Sequence, residues 1–424
     1  MSPIPKRVLY LLPQPFFLPR GSSFRAYATV KAIAEAGIQV DLLSYPIGSD
    51  IAVHPNVTVI RWKSIPHFSS VKIGPSIKKL ILDIPFFIRS IYQARKVQYD
   101  AIHGIEEAGV MAALIGRLLG IPYIYDMHSW MSQQLEHSGF IRSKLLLSGV
   151  RRIEKFCMRG AKAIVTVGPS MTQILRSLAP EVPAYTLHDC SIDFCPKTGQ
   201  KDKAAIIDQY SLAGKSVFLY TGNFESYQGI ELLLRSFAEF LSQQGAQPST
   251  PVDYVLLLVG GCREQQAQMR SYEQLGARLG ISSQVVFTGE QPVERMAAFM
   301  AAADVLVSPR TQGNNVPLKV YTYLATGKPI VATKIDSHTQ VLHSDNAHLR
   351  EAETVAFAEG LKEAIESTRQ QQCKFRAAAA ISKAESDRRE FKLVVEACYA
   401  STLAHNQELS RYHWAVALIP LELL

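Results

Sequence analysis

The sequence predicts an α/β protein made of two doubly wound, parallel-sheet units. Three observations carry this. Short apolar runs alternate with helix-like segments from residue 7 to about residue 187. The alternation pauses over the polar, turn-rich stretch "HDCSIDFCPKTGQKDK" (188–203) and then resumes. The runs are apolar throughout, the pattern of strands covered by helices on both faces. A length of 424 residues suits about two or three ordinary domains. Hydrophobic residues at 47% against 19% charged allow a sizeable core.

In chain order, "RVLYLL" (7–12) is the first expected strand, and "SSFRAYATVKAIAEAG" a helix closed at Gly37. "IQVDLLSY", "VTVIRW", "YDAIHG", "IPYIYDMH" and "AKAIVTVG" follow as strands with helices between most of them. Gly37, Gly120 and Gly160 suit left-handed helix ends. The second unit has strands at "KSVFLYTG", "DYVLLLVGG", "SQVVFTGE", "ADVLVSPR" and "KPIVAT". From about residue 352 the pattern is helical. The expected domains are 1–193 and 194–387, with a helix at 388–405 crossing back onto the first and a tail at 406–424.

Charge and cysteines narrow the function classes. A net charge of +8 fits an anionic ligand, a membrane surface or nucleic acid. The basic residues are spread out and form no recognition motif, which disfavours nucleic acid. The six cysteines are scattered, without C-x-x-C, so neither zinc nor a disulfide framework is expected, and a reducing cytosol is the natural compartment. The apolar run before Pro13 is too short for a signal sequence, and no apolar stretch reaches the roughly 18 residues of a membrane span.

In parallel sheets, ligands bind beyond the carboxyl ends of the strands, so those loops are the places to search. Gly21 precedes a helix, with Ser22 and Ser23 as candidate caps. This is an anion site or an ordinary helix start. It is not G-x-G-x-x-G, so no dinucleotide fingerprint is present. Asp126 and His128 end a strand, where a histidine can bind a hydroxyl or move a proton, or can be satisfied by backbone. His103 is a similar, weaker case. "YTGNFESYQGIELLL" (220–234) offers Gly222 and Gly229 for close backbone approach, or a simple turn.

"SPRTQGNNVPLKVYTYLATGKPIVAT" (308–333) is the most informative stretch. Arg310 follows a strand. Pro317 suits a first helical turn, Asn314 or Asn315 would cap the helix, and Gly327 would close it. Lys319 falls in the first turn, where the helix dipole disfavours a cation unless an anion is bound. Lys319, Arg310 and the helix N–H groups together suit a diphosphate.

Together these motifs make the chain resemble a retaining glycosyltransferase of family 4, with the GT-B fold, over about residues 6–405. "YTGNFESYQGIELLL", "VVFTGEQP", "ADVLVSPR" and "NNVPLKVYTYLATGKPIVATKIDSHTQVL" carry most of the resemblance, with "YIYDMHS" and "HDCSIDF" in support. The resemblance implies two facing Rossmann-like domains with a cleft between them, the second binding a nucleotide-diphosphate sugar and the first the acceptor. It implies that His128 contacts the donor sugar and that the Gly21 loop approaches the donor phosphates. Gly289, Glu290 and Gln291 would lie near the base. Gly222, Asn223, Gln228, Asn314, Asn315 and Thr322 complete the expected donor set, with Asp126 and His103 toward the acceptor. No metal or cofactor is implied, since basic groups neutralise the leaving diphosphate.

The sequence departs from the family pattern in two places. Asn223 and Gln228 stand where the family usually has Arg and Lys. Asn314 and Thr322, eight residues apart, stand where it usually has two glutamates. The removed charges balance, and Arg310 and Lys319 remain. A working enzyme with an altered donor site is therefore expected, acting in polysaccharide or glycolipid synthesis. The rivals are a non-catalytic nucleotide-sugar or glycan-binding relative, and an epimerase or phosphorylase on the same fold. Residues 70–96 mix six Lys/Arg and one Asp with large apolar residues. They are either a contact with an anionic membrane at the inner face of the cell membrane, or a core helix with a basic face.

Overall fold

The computed structural model describes residues 7–17, 21–48, 50–62, 77–137, 141, 143–188, 200–244, 253–261, 265–313, 316–369 and 373–404. Asn314, Asn315, the tail 406–424 and the 70–76 part of the basic segment lie outside the described residues. The chain divides into two compact units. One holds the residues up to His188 and those from Arg389 onward; the other is Asp189–Arg388.

The first unit has strands β1 (Arg7–Leu12), β2 (Gln39–Ser44), β3 (Val57–Ile60), β4 (Ala101–Ile105), β5 (Tyr123–Met127), β6 (Ala163–Thr166) and β7 (Ala184–Thr186). Their order in the sheet is β3-β2-β1-β4-β5-β6-β7, and all pairs are parallel. Helices α1 (Gly21–Glu35), α2 (Ile77–Lys96), α3 (Ala108–Leu119), α4 (Met131–His137), α5 (Lys144–Gly160) and α6 (Pro169–Leu178) complete it. α2, α3 and α5 bury Leu82, Phe86, Ala112, Ile115 and Cys157 in one core against β1, β4 and β5.

The first described element of the second unit is α7 (Gln200–Gln209), which begins within the stretch that reads as a polar pause and runs past it. Its strands are β8 (Ser216–Gly222), β9 (Tyr254–Gly260), β10 (Val285–Gly289), β11 (Val305–Ser308), β12 (Ile330–Thr333) and β13 (His348–Arg350), in the all-parallel order β10-β9-β8-β11-β12-β13. Its helices are α8 (Ile230–Gln244), α9 (Gln266–Arg278), α10 (Met296–Ala302), α11 (Leu318–Thr326), α12 (Asp336–Thr339) and α13 (Thr354–Arg369). α14 (Cys373–Ala404) starts in this unit and ends in the first.

Every strand expected from the sequence is present. The additional ones, β7 and β13, have three residues each and lie at sheet edges. Gly37, Gly120 and Gly327 take the left-handed conformation that ends a helix. Gly160 does not: it is the last helical residue of α5, followed by extended Ala161. Its role is room, because a Cβ there would stand 2.6 Å from the Tyr123 hydroxyl. Ser22 and Ser23 are not caps either. They lie inside α1 and bond back to the Gln14 side chain at 2.7 Å and the Pro15 carbonyl at 3.1 Å, fastening the β1–α1 loop. Pro317, extended, holds the cap position of α11, while the cap candidates Asn314 and Asn315 lie outside the described residues.

In both sheets the strand order reverses between neighbours, β1 beside β4 and β8 beside β11. Such switch points leave a crevice beyond the strand ends, because the following helices turn to opposite faces.

Candidate functional site

In the second unit, the loops after β8 and β11 meet at the switch point. Gly229 follows the first loop with φ +73°, and Thr311 N–H donates to the Tyr227 carbonyl at 2.9 Å. A Cβ on Gly229 would fall 1.9 Å from the Pro309 carbonyl oxygen. Gly229→Ala is therefore expected to lower stability by about 2 kcal/mol or more, combining left-handed strain with a backbone clash. A thermal melt checks this, and an unchanged midpoint would contradict this close packing.

Lys319 sits at the second position of α11. Its ammonium donates to the Thr221 carbonyl at 3.0 Å and the Gln228 amide oxygen at 3.3 Å, and lies 3.8 Å from the centre of the Tyr220 ring. Tyr220 in turn donates to the Asn223 carbonyl at 2.6 Å. Among the described residues no carboxylate comes within ion-pair distance of Lys319. Burial, and then the charge of Arg310, pull the Lys319 pKa well below the usual lysine range. A cation held among neutral groups beside a second cation is an unbalanced charge.

Arg310 is anchored at three points. Its carbonyl accepts a hydrogen bond from Thr333 Oγ1, and its Nε–H donates to the Gln312 carbonyl at 2.6 Å. Its guanidinium carbon lies 5.2 Å from the Tyr227 ring centre. Gly313 makes room for it, since a Cβ there would meet the guanidinium at 2.0 Å. Burial lowers the Arg310 pKa. Beneath this loop, His338 is sealed from solvent. Its Nδ1–H donates to the Thr333 carbonyl at 2.8 Å, so Nε2 accepts from the Ser308 hydroxyl at 2.9 Å. Burial first, with Lys319 and Arg310 adding to it, lowers the His338 pKa to about 4. The ring stays neutral and braces the strand end.

The expected donor residues thus divide. Gly222, Gln228, Arg310 and Lys319 come together. Thr322 is half-buried on α11, three residues beyond Lys319 and so on the same face. Asn223 closes its own loop, its side-chain oxygen accepting from Glu225 N–H at 3.3 Å. Gly289 ends β10 and Glu290 is exposed. The Gln291 amide turns back to donate to the Thr288 carbonyl at 3.0 Å and accepts from Arg295 at 2.9 Å.

The first unit gathers a different set at the ends of β4 and β5. Asp126 is fully buried, with His103 Nε2 at 3.3 Å, His128 Nε2 at 3.4 Å and Arg25 at 3.8 Å. Burial alone would raise its pKa; His128 and Arg25 overcome that and hold it well below the carboxylate range. Burial also works against charging His128, but Asp126 outweighs it and the net direction is up. In the neutral ring, His128 Nε2 accepts from Arg25 Nε–H at 3.1 Å, and Arg25 also donates to the Leu187 carbonyl at 2.9 Å. His103 stacks on Tyr10 and pairs through Nδ1 with the Tyr399 hydroxyl at 2.8 Å.

Of these groups His128 is the one that reaches the surface, with 12% of its side chain exposed against 1% for His103 and 0% for Asp126. His103 and Asp126 were expected to touch the acceptor. They are closed to solvent instead and hold His128 from below. Gly21 opens α1, the helix that carries Arg25. Sequence reasoning missed Arg25 and Tyr399. Arg25, a cation near a helix start, carried the same signal as Lys319; Tyr399 carried none, being 296 residues from its partner.

Comparison with known proteins agrees with this architecture. Residues 19–187 match the profile of "Glycosyltransferase Family 4", and residues 215–367 that of "Glycosyl transferases group 1". The D-inositol 3-phosphate glycosyltransferase of Corynebacterium diphtheriae is 23% identical over 328 residues, 74% of each chain. Among solved structures, HepE of Anabaena in complex with UDP and glucose superposes with a TM-score of 0.67 at 18% identity, covering 94% of this chain and 99% of that one. WaaG, a glycosyltransferase involved in lipopolysaccharide biosynthesis, gives 0.63 at 14% identity, covering 94% and 100%. With two parallel-sheet α/β units and family profiles across most of both, the chain belongs to the family 4 glycosyltransferases of GT-B fold.

Proposed function

We propose that this protein is a retaining, metal-independent glycosyltransferase. It moves a sugar from a nucleotide-diphosphate sugar to a hydroxyl of a glycan or lipid-linked acceptor, in polysaccharide or glycolipid synthesis. The observation that carries this reading is Lys319, a cation seated among a carbonyl, an amide and a ring, beside Arg310. A diphosphate supplies the negative charge that this pocket lacks. HepE is described in complexes with UDP and with UDP-glucose, so uridine diphosphate sugars are the first donors to test.

In the proposed reaction, the bond between the sugar's anomeric carbon and the phosphate oxygen breaks, and its electron pair leaves on the diphosphate. The acceptor oxygen bonds to the same face of that carbon, and its proton passes to the departing phosphate oxygen. This route needs no carboxylate as acid or base. Arg310 and Lys319 stabilise the charge that grows on the leaving group, an effect worth most in a partly dry site. His128 is assigned to a sugar hydroxyl.

A cytoplasmic enzyme at the inner membrane face fits a lipid-linked acceptor. α2 supports this, with Leu80, Ile84 and Ile88 exposed near Lys78 and Arg89. Among the described residues no helix is long and apolar enough to cross a membrane.

The test is nucleoside diphosphate release from a panel of nucleotide sugars, with and without hydroxyl acceptors. Turnover is expected with the wild-type chain, and Arg310→Ala should lower it by roughly 10²–10³-fold with the fold intact. Donor binding without turnover on any acceptor would favour the non-catalytic reading. Undiminished turnover in Arg310→Ala would remove Arg310 from the mechanism.

A further inference from the structure

The first unit has a second cationic feature, at the opposite end of its strands from His128. An open cavity of about 720 Å³ lies between α3 and α5. Its floor is where β5 and β6 begin, around Ile121 and Lys162, whereas His128 follows the end of β5. Arg117, Arg152, Lys155, Arg159 and Lys162 line it, and no Asp or Glu does. Among the described residues none of the five is within ion-pair distance of a carboxylate. Phe156 spans the cavity wall, with the Arg117 guanidinium 5.8 Å from its ring centre.

The apolar surface of the molecule concentrates on the same layer. Of the fourteen large apolar side chains exposed among the described residues, eleven are on α2, α3 and α5. Leu145 is 82% exposed and Leu146 59%. Around α5, Leu147, Glu154, Cys157 and Met158 face the core. At 100° per residue, the remaining arc splits in two. Leu145, Leu146, Ile153 and Phe156 fall on one side; Lys144, Arg151, Arg152, Lys155 and Arg159 fall on the other. A soluble surface helix would have polar residues across this whole arc. An apolar strip edged by Lys and Arg is the pattern of a helix lying in a lipid headgroup layer.

We infer that the outer face of α3 and α5 docks on an anionic phospholipid membrane, with the cavity taking headgroup phosphates and the leucines and Phe156 entering the acyl boundary. Charge complementarity and the apolar rim favour a bilayer over a nucleic acid, which would use the cations but not Leu145 and Leu146. This surface adjoins α2 in the same helical layer but has its own cations and leucines, and it does not depend on glycosyl transfer.

The test is flotation of the full chain with phosphatidylcholine vesicles and with vesicles containing about one-third phosphatidylglycerol. Binding is expected only to the second, falling as salt rises. Arg152→Glu with Arg159→Glu should weaken it about tenfold or more. Leu145→Ser with Phe156→Ser should weaken it at constant charge. All four positions are exposed or on the cavity rim, and circular dichroism checks folding; the salt dependence of the wild-type chain tests the inference even if a variant misfolds. The inference is overturned by no binding to anionic vesicles, by binding that ignores both pairs of substitutions, or by salt-insensitive binding. It is also overturned if inorganic phosphate at constant ionic strength displaces the protein from vesicles, because the cavity then takes a free anion, or if single-stranded RNA binds and vesicles do not.

Discussion

Lys319→Met is expected to abolish most turnover without lowering the unfolding temperature. Methionine keeps the length and most of the volume but removes the charge. Losing a group that stabilises leaving-group charge should cost roughly 10²–10³-fold in kcat/KM. Stability should respond differently. The Lys319 pKa is depressed in the folded chain, so the folded state binds that proton less tightly than the unfolded state does. The charged lysine therefore costs stability at neutral pH, and that cost fades as pH rises toward the unfolded value. Methionine removes the cost, which offsets the two lost hydrogen bonds. A lysine kept for structure would show the reverse, a clear fall in melting temperature. Donor binding should reveal the same charge, since a diphosphate raises the Lys319 pKa again. Binding is then accompanied by proton uptake at alkaline pH and weakens as pH climbs. Calorimetry in buffers of different ionisation enthalpy measures this, and a donor affinity flat across that range would exclude Lys319 from the diphosphate.

Asp126→Asn is expected to destabilise the first unit by roughly 3–5 kcal/mol, the usual consequence of removing one partner from a buried charge group. Arg25 would then face a neutral amide with only 4% of its surface exposed. The Asp126 pKa is depressed in the folded state. Its contribution is thus complete above the unfolded value of about 4 and is lost as pH falls through the folded value. The gap between variant and wild type should be full at pH 7 and shrink in strong acid. His128 has the opposite sign. Its raised pKa contributes stability below the unfolded value near 6.5, and that contribution disappears as pH rises through the folded value. Urea titrations at several pH values measure both, and a variant equal to wild type at pH 7 would show that Asp126 is not the keystone of this cluster.

The fold was legible because the central strands of both sheets are buried along nearly their whole length. "RVLYLL" and "DYVLLLVGG" have no polar face, and only a sheet covered on both sides uses such runs. β7 and β13 escaped because three edge residues carry too little pattern. In the second unit the candidate site was legible wherever a residue contradicted its local setting. Lys319 at a helix start is one case, and the glycines of the Gly222–Gly229 loop are another. Local sequence could not reveal depth. Asp126 and His128 are two residues apart on one strand end, yet one is sealed and the other reaches solvent. That difference is set by Arg25, His103 and Tyr399, which the fold brings in from distant positions. At α11 the sequence reading put Pro317 in the first helical turn, one position too late: it stands, extended, at the cap position.

The bond between His103 and Tyr399 also bears on the order in which the chain is made. On a ribosome, β1 to β7 emerge well before α14, and the whole second unit is synthesised in between. Until residue 399 leaves the exit tunnel, His103 faces a polar gap where the phenol belongs. The first unit therefore begins folding first and finishes last. A nascent chain stalled before α14 should hold β1–β7 in a loosened state, vulnerable to protease and to chaperone capture, and should tighten only when α14 is released.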